Sequence, residues 1–79
     1  MKPYGIGWVQ KSERRYLGRL KFCVYGLDSY CVIEGGNHRR YTTNMTGFPK
    51  YCYEGILLSF NLIYKYGFKP EAINVRKEE

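Results

Sequence analysis

Lys50-Tyr51-Cys52-Tyr53-Glu54-Gly55-Ile56-Leu57-Leu58-Ser59-Phe60-Asn61-Leu62-Ile63-Tyr64-Lys65-Tyr66 holds the most apolar run of the chain, and its periodicity decides the fold. Tyr53, Ile56, Leu57, Phe60, Ile63, Tyr64 and Gly67 recur at spacings of three and four, which predicts one amphipathic helix over residues 50–66. The ending is well marked. Gly67 suits the left-handed position after a helix, Phe68 can close onto Ile63, Lys65 and Lys69 complement the dipole, and Pro70 forbids continuation. On that helix Glu54, Leu58, Asn61 and Lys65 share the solvent stripe, which makes Leu58 a candidate contact for a partner or a second copy.

Upstream the pattern is extended. Leu20-Lys21-Phe22-Cys23-Val24-Tyr25 alternates, Gly26-Leu27-Asp28-Ser29 supplies turn residues, and Tyr30-Cys31-Val32-Ile33-Glu34 alternates again, which predicts a hairpin. Pairing Tyr25 with Tyr30 sets Cys23 against Val32 and Lys21 against Glu34, an opposite-charge pair. In that register Cys23 and Cys31 point to opposite faces, so the thiols are expected to stay free. A second turn, Gly35-Gly36-Asn37-His38, leads into the strand Arg39-Arg40-Tyr41-Thr42-Thr43. A two-residue Gly36-Asn37 loop sets Glu34 opposite Arg39, whereas a three-residue loop ending at Asn37 swaps which arginine faces the core. Ala72-Ile73-Asn74-Val75-Arg76 reads as a last strand. Residues 4–19 are read either as a further strand, Ile6 to Lys11, turning at Ser12-Glu13-Arg14-Arg15, or as a short helix capped by Ser12; the strand is favoured. The expected fold is α+β: an antiparallel sheet of three to five strands packed on one main helix, in the order (β)-β-β-β-α-β.

With 79 residues the chain has room for one core, so residues 1–79 are expected to form a single domain. Aromatic residues at 18% and hydrophobic residues at 44% exclude disorder. No apolar stretch follows Lys2, and Ile56 to Tyr64 is too short for a bilayer span, so neither export nor membrane insertion is indicated. Three cysteines without a C-x-x-C pair, beside one histidine, argue against a disulfide framework or a zinc site and point to a cytoplasmic setting.

The net charge of +6 is uneven: residues 1–27 hold six cations against Glu13 alone, while residues 54–79 balance. Such asymmetry makes a field that attracts nucleic acid or an acidic protein. The candidate binding residues are therefore Lys11, Arg14, Arg15, Arg19, Lys21, Arg39 and Arg40, with Tyr25 and Tyr30 as stacking or packing groups. Neither catalytic residues, cofactor nor metal are expected. His38 is the lone histidine, a nuclease site of Glu54 with His38, Arg39 and Arg40 is the disfavoured alternative, and no nucleophile motif occurs.

The strand-strand-strand-helix order resembles the second half of a double-stranded-RNA-binding domain and the arm-binding domains of integrases. The likeness is topological, because the helix opens Lys50-Tyr51-Cys52-Tyr53-Glu54 instead of with a lysine cluster. In size, tyrosine content and uneven charge the chain also resembles phage-encoded inhibitors of host machinery, anti-CRISPR proteins included. Two functions are thus expected: a non-catalytic module binding nucleic acid through a basic hairpin surface, or an inhibitor or adaptor meeting an acidic or nucleic-acid-binding surface of a protein. A homodimer is compatible with either.

Overall fold

The computed structural model describes residues 9–79. Among them there are six strands and no helix: β1 Val9–Lys11, β2 Tyr16–Val24, β3 Tyr30–Gly35, β4 Arg40–Asn44, β5 Leu57–Lys65 and β6 Glu71–Lys77. β1 and β2 lie end to end along one edge of β5, pairing from Val9↔Lys65 to Lys11↔Ile63 and then from Tyr16↔Phe60 to Arg19↔Leu57. β2 passes on to β3 and β3 to β4, all antiparallel. β6 touches β4 in parallel at Thr42↔Glu71 and pairs antiparallel with the other edge of β5. The circuit β2-β3-β4-β6-β5 returns to β2, so the sheet closes on itself as a small barrel.

Closure explains why the expected helix is absent and the α+β assignment fails. An open sheet needs a second layer over its apolar face, whereas a barrel covers that face with its own strands. The residues taken for the helix make the central strand. Ile56, Leu58, Phe60 and Leu62, every second residue, are all buried, with Leu58 at 0% exposure. A helix would have placed Leu58 in water beside Glu54 and Asn61, so its proposed role as a surface contact falls with the helix. A period of two buries four large apolar side chains that a period of 3.6 splits between faces. Leu20, Cys31, Ile33, Tyr41 and Ala72 complete the interior.

The supposed helix ending is a hairpin tip. Phe68 N donates to Lys65 O at 3.0 Å, and Gly67 takes φ 82°, the left-handed conformation that a tight turn and a helix terminus demand alike. Residues 45–56, where the helix was expected to start, form a connection from one end of β4 to β5. Glu54 lies in this connection, while His38 sits in the β3–β4 turn and contacts Glu34 at 3.5 Å, so no contact joins the two.

The first hairpin and the last strand form as expected, with altered registers. β2 begins at Tyr16, and Lys21 bulges out of it, because Leu20 faces Ile33 while Phe22 faces Val32. The bulge shifts the pairing so that Val24, not Tyr25, faces Tyr30, and Cys23 faces Cys31. The two cysteines form a disulfide, which corrects the expectation of free thiols; among the three, Cys52 alone is free. One extra residue in a strand turns every later side chain to the other face. In the second hairpin Glu34 faces Arg40 and Gly35 N donates to Arg39 O at 2.8 Å, a three-residue loop over 36–38 that matches neither expected register. Of the early strand, Val9 to Lys11 is present as β1; Ile6 to Trp8 lies outside the described residues. No helix here is long and apolar enough to cross a membrane.

Candidate nucleic-acid interface

The barrel divides the nine candidate residues into five settings. Arg15 is a structural cation. Its guanidinium donates to Ser59 Oγ at 2.8 Å, to Asn61 Oδ1 at 2.9 Å and to the Asn74 carbonyl at 2.7 Å, and Ser59 Oγ donates in turn to Glu78. The cause is a bulge in β6: Ser59 faces Arg76 while Asn61 faces Ile73, so three steps on β6 oppose two on β5. Asn74, at φ 54°, turns its carbonyl out of the ladder and Arg15 satisfies it. Burial, followed by the charge of Arg76, pulls Arg15 below the usual guanidinium range, and Glu78 offsets this in part.

Arg19, Lys21 and Arg40 form a second group on the outer surface of β2, β3 and β4. Lys21 Nζ lies 3.4 Å from Glu34 Oε1 and Arg40 Nε 3.8 Å from the same oxygen. The expected Lys21–Glu34 pair therefore exists, although the bulge rather than direct register brings it about. Arg19 donates to the Gly55 carbonyl at 2.9 Å and meets Glu79 at 3.3 Å. A hydrogen bond from His38, then the contacts to Lys21 and Arg40, hold Glu34 below the ordinary carboxylate range. Glu79 is lowered by a hydrogen bond from Tyr53 and next by Arg19. Each of the three cations on this surface thus has a carboxylate partner, Glu34 being shared by two of them.

Tyr30 lies farther along the same surface, toward the β2–β3 tip, whereas Tyr25 borders a different recess with Leu20, Cys23, Met45 and Phe48. With Phe22 and Val24, Tyr30 makes an exposed apolar patch. The cross-strand tyrosine pair is not formed, since Val24 occupies the position facing Tyr30.

Lys11, Arg14 and Arg39 gather at the barrel end where β1, the start of β2, the β3–β4 turn and the β5–β6 hairpin meet. Lys65 and Lys69 join them from the hairpin. Among the described residues these five enter no ion pair. Lys50, Arg76 and Lys77 also enter no ion pair; Arg76 lies near Arg15, and Lys77 stands 5.9 Å above the Tyr51 ring. An aromatic cluster of the core reaches toward this end: the ring centroids of Tyr16 and Phe60 are 6.3 Å apart, and those of Tyr41 and Phe60 5.8 Å. Arg14 lies 5.4 Å over Tyr16, a cation–π arrangement. Tyr64 completes the cluster; burial and its neighbours Tyr16 and Tyr41 raise its hydroxyl pKa while Arg39 pulls it back.

Sequence reasoning missed Lys65, Lys69, Tyr66 and Phe68 because it assigned them to a helix terminus. Their signal was present as a basic and aromatic cluster around Gly67 and needed the hairpin reading to count. No protein-family model, curated protein or solved structure matches the chain.

Proposed function

We propose that this chain is a non-catalytic nucleic-acid-binding module whose contact surface is the basic end of the barrel. The observation that carries the reading is the segregation of charge. Lys11, Arg14, Arg39, Lys65 and Lys69 lie at one end and enter no ion pair among the described residues, although Glu13 and Glu71 belong to the same end, whereas Arg19, Lys21 and Arg40 are each paired with Glu79 or Glu34. Unpaired cations on a small surface release counterions when phosphates replace them, and paired ones contribute little. Small five-stranded Greek-key barrels recur as oligonucleotide platforms, a supporting argument from architecture and not from residues. Salt-dependent titration with a random oligonucleotide tests the reading. Five phosphate contacts on a single strand correspond to a slope of log K against log salt of about −3.5. No binding at low salt sinks it.

A second reading, a protein-binding inhibitor or adaptor of the phage-encoded kind, is favoured by a different observation. Phe22, Val24 and Tyr30 form an exposed apolar patch on a surface where Lys21 and Arg40 are paired with Glu34, which suits protein contact better than phosphate. Alanine substitution at Phe22 and Tyr30 separates the two readings: it abolishes capture of a defined protein partner in this case and leaves oligonucleotide binding intact in the first. The Cys23–Cys31 bridge favours an oxidising setting over the cytoplasm expected from the cysteine count.

A further inference from the structure

We propose that the nucleic acid taken at the basic end is single-stranded, and that Tyr66 and Phe68 at the tip of the β5–β6 hairpin are its stacking platforms. This rests on the nucleic-acid reading above and sharpens it to a class of ligand.

Tyr66 and Phe68 are 70% and 75% exposed, and neither ring stacks on another among the described residues. Exposing two large rings to water is unfavourable by about 25 cal/mol per Å² of apolar surface, so they gain most from a flat apolar partner. The tip that holds them is constrained: Phe68 N donates to Lys65 O at 3.0 Å, and Gly67 at φ 82° turns the chain between the rings. Lys65 and Lys69 flank them. Beside the tip is a shallow recess of about 490 Å³ bordered by Gln10, Tyr64, Lys65, Tyr66, Phe68 and Pro70.

Two rings flanked by two cations on one short loop match the two parts of a nucleotide, base and phosphate. The rings decide between strand states. In a duplex the base faces are hidden in the stack and only phosphates remain, so Tyr66 and Phe68 would contribute nothing; unpaired bases offer a face to each ring. Stacking on aromatic side chains is also tolerant of sequence, so weak base preference is expected.

Fluorescence anisotropy with a short oligothymidylate and a duplex of the same length tests the proposal. The wild-type chain is expected to prefer the single strand. Tyr66→Ala with Phe68→Ala should weaken single-strand binding at least about tenfold, at about 1–3 kcal/mol per stacked base, and leave duplex binding and the salt slope unchanged. Tyr66→Phe with Phe68→Tyr, which keeps both rings, should retain the preference. In the unsubstituted chain, photo-crosslinking of a bromouridine oligonucleotide should map to Tyr66 or Phe68. Equal or tighter duplex binding by the wild type, unchanged single-strand affinity in the double alanine variant, or cross-links mapping elsewhere would overturn the proposal while leaving the nucleic-acid reading in place. A wild-type chain that binds neither probe removes that reading first and this one with it.

Discussion

Single side chains of one type hold unlike positions in this barrel, and arginine shows it most plainly. Arg15 spans three acceptors on β5 and β6, a reach that suits a planar fork and not a point charge. Arg15→Lys is therefore expected to lower stability by about 1 kcal/mol, because the buried Ser59 and the half-buried Asn61 lose a charged donor; urea unfolding of the variant checks this. Glu34 organises a different neighbourhood. Its carboxyl is lowered by His38 and next by Lys21 and Arg40, so its folded pKa lies below its unfolded one. Its contribution to stability is present above the ordinary carboxylate range and lost as pH falls through the folded value. Glu34→Gln should accordingly flatten the loss of Tm on acidification from pH 7 toward the acid range. A Tm profile parallel to that of the wild type would contradict the assignment.

Strand β5 is the element on which the others depend, since it pairs with β1, β2 and β6. Leu58→Ala removes a side chain with no exposure and should cost about 2–5 kcal/mol. A surface helix would have tolerated the same change almost without loss, so thermal unfolding of this variant distinguishes the two structures. The β2–β3 hairpin carries its own constraint in Cys23–Cys31, eight residues apart in sequence. Closing so short a loop in the unfolded chain contributes about 2–3 kcal/mol. Added reductant should lower the denaturation midpoint accordingly, and an unchanged midpoint would show that the bridge adds no stability.

The molecule as a whole separates charge that the chain does not. Residues 54–79 are neutral in sum, yet Lys65 and Lys69 stand at one end of the barrel while Glu78 and Glu79 bind Ser59 and Arg19 elsewhere. Field and affinity follow this spatial sorting and not the segment totals. Lys65→Ala with Lys69→Ala should reduce the salt slope of oligonucleotide binding by about 1.4, two contacts' worth on a single strand. Lys21→Ala with Arg40→Ala, which removes the same formal charge from a surface where both are paired with Glu34, should leave the slope nearly unchanged. Equal effects of the two pairs would show that net charge alone governs binding.

What the residues determined by themselves was local. Alternation and turn chemistry marked the β2–β3 hairpin, the strand after Gly35-Gly36-Asn37-His38 and the last strand, and the surplus of cations near the N-terminus supplied Lys11 and Arg14 for the candidate interface. The period of β5 was legible as well, in the burial-ready series Ile56, Leu58, Phe60 and Leu62, but the same residues also satisfied much of a helical spacing. Only tertiary structure chose between the two, since closure of the barrel supplies partners for both edges of β5 and covers the inner sheet face, leaving a helix nothing to pack on. The bulge at Lys21 was equally beyond local reading. It costs one unpaired residue and is repaid across the hairpin, where it brings Cys23 to Cys31 and Lys21 to Glu34. A charge in the sequence has no partner until the strands are in register, which is why Arg15 proved structural while Lys65 and Lys69 joined the basic end.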